Sequence, residues 1–550
     1  MRGPEVRCAL CTPANSASAT QHLSGAAVDL QQMRPAGFCD VLPNREDTMS
    51  IAGQASHPVA QVEQRSWIRA NWGLLLAAFV LLFILFLPTP AGLSVAGHRM
   101  LAVFGFAVVV WITDALDYAV SAVVIAALMA FLLGISPDIA NPKVLFGSVK
   151  GLTTAVSGFG NTALTLVAAA LFLAAAMTIT GLDRRIALVI LSRVGARTSR
   201  IVIGAIVVST VLALLVPSAT ARAAAVIPII MGIIVAFGVD KKSRFAGLLM
   251  ITTVQAVSIW NVGIKTAAAQ NMVAIGFIQK LLGQDVTWLN WLIAAAPFSF
   301  LLSVGLYGTM MLMMPPEMKE LPGGEATVRK SLSELGPMTG REIRLLAVSL
   351  TLLAFWSTEG VLHSFDSSTT TTIAVALLFL PGIGVMEWKT ANPLIPWGTI
   401  VLFGIGISLG TALLQTQAAQ WLANLIVAWF GLNQLPAFAI VAILAAFLII
   451  VHLGFASATA LASSMIPIVI AVLQKVETPG INVLGMTLVL QFVVSFGFIL
   501  PVNSPQGMVA YGTGAFDARD FVRTGVVITI LAYLLTLLLG ATYWRWLGYV

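Results

Sequence analysis

Charge is scarce in this 550-residue chain: Asp, Glu, Lys and Arg make up 10% of it, against roughly 25% in a water-soluble globule. A hydrophobic content of 58% and a mean hydropathy of +0.94 point the same way. Cysteine is almost missing, with only Cys8, Cys11 and Cys39, all before residue 49. The remainder therefore has no disulfide, thiol nucleophile or cysteine-held metal, and Cys8-Ala-Leu-Cys11 lacks the second pair that a zinc or redox site needs. The apolar stretches also lack a HExxH motif and paired catalytic carboxylates, which argues against a membrane-embedded enzyme. Asp114 and Asp117 sit at a helix end, where a solvated-loop or scaffold role is expected, and His363 and His452 are isolated and expected to be hydrogen-bonded structural histidines and not metal ligands.

What is present is apolar sequence in runs of about 18 residues or more, long enough to cross a bilayer as helix. They begin near Trp72 and recur to a last one near Gly525. The first 48 residues have no such run and are expected to be a non-native or disordered leader, with Met49 as the biological start. Residues 49–71 read as a cytoplasmic segment, 72–315 as a first half, 316–341 as a cytoplasmic linker and 342–550 as a second half.

A repeated phrase motivates the division into halves. Ser218-Ala-Thr-Ala-Arg-Ala-Ala-Ala-Val-Ile-Pro-Ile229 returns as Ser457-Ala-Thr-Ala-Leu-Ala-Ser-Ser-Met-Ile-Pro-Ile468, with eight of twelve positions identical at an offset of 239. A second echo follows, Gln270-Asn-Met-Val-Ala-Ile-Gly276 and Gln506-Gly-Met-Val-Ala-Tyr-Gly512, at an offset of 236. Small hydroxyl-bearing phrases duplicated in an apolar chain are the pattern of a secondary transporter with its site at the repeat interface. Ordinary small-residue helix packing does not account for the matching Ile-Pro-Ile endings.

Basic residues supply the orientation, because Lys and Arg collect on the cytoplasmic side. With the amino terminus inside and the carboxy terminus outside, the outer loops hold Arg99, Lys143, Lys150, Lys280, Lys475 and Arg545, while three times as many basic residues fall inside. That assignment makes residues 201–237 a re-entrant hairpin opening inward and 435–475 one opening outward. Broken helices follow at about 245–282 and 483–517. The expected fold is therefore all-α and polytopic, with about 11 transmembrane helices, two re-entrant hairpins and two inverted-topology repeats. The net charge of +7 belongs to the cytoplasmic loops and calls for no nucleic acid.

Two cations, Arg222 and Lys265, remain inside apolar segments, where a charge needs a partner or a task. Arg222 lies one helical turn past Ser218. Lys265 precedes Thr266 where Asn261 and Gly263 interrupt a helix. Both mark an anion site. A hairpin tip within the membrane exposes the amides that start its second helix, a terminus with partial positive charge. Ser218 and Thr220, with Ser457 and Thr459, add hydroxyl donors beside those amides.

At these residues the chain resembles the divalent anion/sodium symporter family of the ion transporter superfamily, over nearly everything after Met49. The family's two Ser-Asn-Thr tips align with Ser218-Ala219-Thr220 and Ser457-Ala458-Thr459, and its two unwound loops with Lys265 to Asn271 and Asn503 to Gly507. Pro217-Ser-Ala-Thr-Ala-Arg222 and Ser357-Thr-Glu-Gly-Val-Leu-His363 are most similar to the branch of citrate/succinate antiporters and plastid 2-oxoglutarate/malate translocators. The resemblance implies a multi-pass protein of a bacterial-type inner membrane, an elevator mechanism, a homodimer and a small anionic substrate of the C4–C6 di- or tricarboxylate class. It extends the substrate-binding set to Ser218, Ala219, Thr220, Arg222, Lys265, Thr266, Ser457, Ala458, Thr459, Asn503, Ser504 and Pro505. Any ion-coupling set falls among Ser218, Thr220, Lys265, Ser457, Thr459 and Asn503. No cofactor is implied; sodium is the candidate coupling ion that the resemblance offers, beside proton coupling and exchange, and no other metal is expected. Ala219 and Ala458 stand where the family has Asn, which removes an amide from each tip. Exchange or another coupling is expected to follow, with Lys265 placing a fixed ammonium where relatives hold Na⁺. Sodium-coupled symport of sulfate or another oxyanion is the alternative. A channel is the reading from another class, disfavoured by broken helices without a ring of like charges.

Overall fold

Several apolar helices in this chain end at left-handed residues, among them Asp114, Gly181 and Gly431, and others at an extended residue before proline, as at Leu87 and Val216. The computed structural model describes residues 71–550 apart from 196, 237, 319 and 321–323. They belong to one compact unit, Arg65–Val550. The leader, Met49 and most of the segment 49–71 lie outside the described residues. Among the described residues every regular element is helical, and eight helices are long and apolar enough to cross a membrane.

The first half runs through α1 (Trp72–Phe86), α2 (Val95–Thr113), α3 (Tyr118–Gly134), α4 (Ser148–Val156), α5 (Thr162–Thr180), α6 (Leu182–Leu191), α7 (Thr198–Leu215), α8 (Ala219–Ala236), α9 (Arg244–Gly263), α10 (Ala269–Phe277) and α11 (Trp288–Met313). A short helix, α12 (Gly324–Glu334), occupies the stretch read as linker. The second half has α13 (Gly340–Thr358), α14 (Ser367–Phe379), α15 (Trp397–Gln415), α16 (Ala418–Phe430), α17 (Ala437–His452), α18 (Ala458–Lys475), α19 (Val483–Val494), α20 (Pro505–Tyr511) and α21 (Ala518–Ala541).

From α5 and from α15 onward the chain passes through the same order of elements. Each of these two 19-residue helices turns through one left-handed residue, Gly181 at φ 74° or Gln417 at φ 61°, into a shorter helix. Each then enters a helical hairpin whose returning arm, α8 or α18, has 18 residues with proline at its tenth. That proline withdraws an N–H from the helix ladder. A helix interrupted by a short turn comes next, at Lys265–Ala267 after α9 and at Pro501–Asn503 after α19. Helix α6 is short and polar on one face, and α16 is apolar but only 13 residues long, so neither registers as a spanning run in the sequence.

Both ends of the α7/α8 hairpin touch the start of the linker: the Thr198 hydroxyl donates to the Met318 carbonyl at 2.6 Å, and the Arg244 N–H to Glu317 at 3.3 Å. The ends of α17/α18 are tied together instead through Asn433, which accepts from the Glu477 N–H at 3.2 Å. Asn482, just beyond, donates to the Gly548 carbonyl at 2.7 Å. Since Trp544 bonds Ala294 at the start of α11, and α11 carries the chain 26 residues to the linker, about 39 Å at the helical rise, the two hairpins have their ends at opposite ends of α11.

The halves interleave at the centre. Arm α8 packs on α20 and arm α18 on α10, so each hairpin rests on the broken helix of the other half. Helix α9 is buried along its whole length from Phe245. Close approach there depends on small residues: a Cβ at Gly158 would meet the Gly404 carbonyl, and the Gly158 N–H donates to Ser408 at 2.8 Å.

Candidate functional site

Where the two tips and the two interruptions meet, they enclose a cavity of about 570 Å³, within the 300–1,000 Å³ usual for small-ligand sites. Ser218, Ala219 and Thr220 line it from the first tip, Ser457, Ala458 and Thr459 from the second, and Asn503, Ser504 and Pro505 from the second interruption. The facing wall is supplied by α5 and α15 with Tyr118 of α3, and is mostly apolar. A second cavity of about 580 Å³ shares Thr178, Ala221 and Ala224 with the first and runs along α8 to Asp183, Arg184 and the linker helix α12. The first tip is open, with Thr220 exposed, while Ser457 and Thr459 at the second tip are buried.

Each tip serine caps the helix that starts beside it. Ser218 accepts from the Ala221 N–H and Ser457 from the Ala460 N–H, both at 3.3 Å. The Ser218 hydroxyl proton then remains free to donate into the cavity, whereas the Ser457 hydroxyl also bonds the Tyr118 phenol on the facing wall. Helices α8 and α18 each also leave first-turn N–H groups unpaired by their own backbone. Two positive helix ends facing one cavity favour an anion, and one with a charge at each end fits both. Ala219 and Ala458 put methyl groups between the hydroxyls, so the donors at each tip are serine, threonine and backbone.

The first interruption and the second tip expose carbonyl groups, and the chain covers them with its own donors. Asn503 Nδ2 donates to the carbonyls of Phe455 at 2.8 Å, His452 at 3.0 Å and Leu453 at 3.5 Å. Asn271 Nδ2 does the same for Asn261 at 2.7 Å, Ile264 at 3.1 Å and Lys265 at 3.4 Å. Arg222 is fully buried; its Nη2 donates to Asn261 Oδ1 and to the Ala267 carbonyl, the latter at 3.0 Å.

Three residues expected at the site are not on its wall. Arg222 lies behind Asn261. Lys265 turns away and donates to the Val286 carbonyl at 2.7 Å. The Thr266 hydroxyl accepts from the Trp288 indole at 3.2 Å. A helix interruption leaves side-chain direction open, and for Lys265 and Thr266 the chain entering α11, at Val286 and Trp288, decides it. The His452 ring is buried beside Gly497 with neither nitrogen paired, which differs from the hydrogen-bonded role expected for it. Asp114 and Asp117 stand at helix ends, at φ 48° after α2 and before Tyr118 of α3.

Gln270 and Gln506 line the cavity and were not singled out as site residues, although each opens a copy of the second echo. Gln270 Nε2 donates to Ser495 at 3.3 Å and Gln506 Nε2 to Ser258 at 3.0 Å. These are reciprocal bonds, since Ser258 and Ser495 are related by nearly the same offset as the glutamines. No cluster of metal ligands occurs among the described residues.

The comparisons with known proteins fit this arrangement. A membrane protein of Cupriavidus necator is 57% identical over 87% of this chain and 93% of its own length. The inner membrane protein YbhI of Escherichia coli is 30% identical over 87% of this chain and 98% of its own. The L-tartrate/succinate antiporter of Escherichia coli is 28% identical over 85% and 97%. Among solved structures, the YdaH transporter of Alcanivorax borkumensis shares the fold at a TM-score of 0.51 and 14% identity, covering 80% of this chain and 98% of that one. The family described as sodium:sulfate symporter transmembrane region matches residues 68–550. The chain is thus a multi-pass membrane transporter and not an enzyme, and it belongs to that family, the divalent anion/sodium symporters that its tip motifs resemble.

Proposed function

We propose that this protein is a secondary active transporter of small organic di- or tricarboxylates across the inner membrane, working by exchange or ion coupling through an elevator-type alternating access. The observation that carries the reading is the single cavity onto which both tips open, with two positive helix ends and four tip hydroxyls. An antiporter of L-tartrate and succinate among the relatives supports the carboxylate class. Two unlike walls support the elevator: the tips and broken helices would move as one body past α5 and α15. The opposite placement of the hairpin ends supports two inverted repeats, residues 72–315 and 342–550, with both hairpins re-entrant. Basic loops put the amino terminus and the linker in the cytoplasm, the carboxy terminus outside, and the second cavity on the inner side. Ser218, Thr220, Ser457, Thr459, Asn503, Ser504 and Pro505 would surround the anion, with Ala219 and Ala458 as apolar spacers. Arg222, Lys265 and Thr266 would act from behind the wall. Exposed apolar residues such as Phe79, Phe86 and Phe131 suit lipid and the interface of a homodimer.

Counterflow tests this reading. Proteoliposomes loaded with unlabelled succinate should take up labelled succinate, malate, tartrate, 2-oxoglutarate or citrate saturably. Uptake of none of these, with sodium-driven uptake of sulfate, would establish the second reading, sodium-coupled oxyanion symport, which the family's description favours.

A further inference from the structure

We propose that Tyr118 is a latch across the cavity: its phenol holds the second tip against the fixed wall while the site is empty, and a bound carboxylate frees the tip by taking the Ser457 hydroxyl. The proposal rests on the anion-carrier reading above and adds to it a positioning residue that lies outside the hairpins and broken helices.

Tyr118 is the first residue of α3, and its phenol bonds the Ser457 hydroxyl from the facing side of the cavity. Several contacts fix it to the wall. Its carbonyl accepts from the Ser121 hydroxyl at 2.9 Å, and Ser121 accepts from the Trp111 indole of α2 at 3.3 Å. The start of α3 lies against Gly398 of α15, and α3 packs along that helix. Ser457 belongs to the other side of the boundary, as the cap of α18. The bond joins the body that slides to the wall that stays, so each crossing breaks it. Ser457 is buried, and a buried hydroxyl that loses its partner is penalised unless another takes its place. A carboxylate at the second tip does so and displaces the phenol, because a hydrogen bond to an ionised acceptor is roughly twice as strong as one between neutral groups.

The latch serves one tip and not the other. Helix α14 packs on α5 as α3 packs on α15, and it too starts after an aspartate, Asp366 in place of Asp117. Its first residue is Ser367, whose hydroxyl donates to Glu359 at 2.6 Å, so the start of α14 offers Ser218 no phenol. In keeping with that, Thr220 at the first tip is exposed, while Ser457 and Thr459 at the second are buried. The bond favours the form whose cavity opens along α8. Departure of the empty carrier from that form is the step it slows.

Succinate binding to the purified carrier tests the latch. Tyr118→Phe keeps the ring and removes the competitor for Ser457, so it should tighten binding by about twofold to tenfold, the worth of one net hydrogen bond. Loss of a packing contact or of a substrate ligand would leave binding unchanged or weaken it. In a Ser457→Ala background the same change should do nothing. Wild type supplies a second reading that needs no variant: labelled succinate should enter proteoliposomes preloaded with succinate at least about twofold faster than empty ones, where the carrier must return unloaded. Tyr118→Phe should narrow that gap. Binding that Tyr118→Phe weakens or leaves unchanged, a tightening that persists without Ser457, or equal wild-type uptake into loaded and empty vesicles overturns the latch. A wild type that neither binds nor exchanges any carboxylate overturns the carrier reading instead.

Discussion

The two hairpin tips are near-copies in sequence and unlike in surroundings. Past the first tip stands Arg222, at a position the 239-residue offset relates to Leu461, a buried apolar residue. Behind Asn261 is a guanidinium, and beside Gly497, its counterpart by the later offset, is the His452 imidazole. The carbonyls at the first interruption are covered by Arg222 and Asn271, and those by the second tip by Asn503 alone. Equal backbone plans thus carry unequal charge. The duplicated elements set where an anion sits, and the unduplicated side chains set what accompanies it.

The largest difference to test lies between α6 and α16. Arg185 on α6 donates from Nε to Glu342 at 2.6 Å and from Nη1 to the Gly336 carbonyl at 2.9 Å, fastening α6 to the linker and to the start of α13. The same place on α16 holds Trp421 and no ion pair. Glu342→Ala should cost about 3–5 kcal/mol, because it strands a buried guanidinium. A melting temperature unchanged in detergent would show that α6 needs no such fastening.

Asn503→Ala comes next. It leaves the carbonyls of His452, Leu453 and Phe455 without their shared donor, at a cost of about 2–4 kcal/mol. The melting temperature in detergent should fall accordingly, and an unchanged one would show that another donor takes over these carbonyls at the second tip.

Asp183 offers a pH-dependent contrast, since its place in α16 is taken by the buried Ala419. Burial pushes the Asp183 carboxyl up to about 6, against backbone hydrogen bonds that lower it. A carboxyl raised on folding contributes its full stability below its unfolded value near 4, and that contribution is lost as pH rises through about 6. Asp183→Asn should therefore gain about 2 kcal/mol above pH 6 and nothing near pH 4. Melting curves across that range check the sign.

How much of this was legible in the sequence depends on what each feature requires. The repeated phrase and the second echo needed only identity at a fixed offset, and their residues do gather at one cavity. Helices α6 and α16 were hidden because an amphipathic helix of 10 or 13 residues breaks no apolar run. Tyr118 belongs to the cavity only because α3 packs beside α15. Arg222 and Lys265 were both recognisable as unusual. Which of them would face the interruption was not, since that depends on the rotamer packing allows, and the loop before α11 offers Lys265 the Val286 carbonyl. The Gln270–Ser495 and Gln506–Ser258 bonds connect opposite halves. Nothing in a one-dimensional pattern pairs them before the halves interleave.

The smallest effect discriminates most finely between the tips. Ser218 and Ser457 make the same cap at the same 3.3 Å, so on local grounds each Ser→Ala change removes about 1 kcal/mol. Their surroundings differ, because the first tip is open and the second is buried. At the open tip water replaces the lost hydroxyl as partner for the Ala221 N–H. At the buried tip the Ala460 N–H has no such substitute, and an unmet buried donor costs more than an exposed one. Ser457→Ala should therefore lower the melting temperature more than Ser218→Ala, while both weaken anion binding by removing one hydroxyl each. If conditions that trap the outward-facing state reverse the order, the two tips exchange roles as the carrier turns over. An order that stays fixed in every state would mean that the asymmetry belongs to the sequence and not to the side on which the cavity opens.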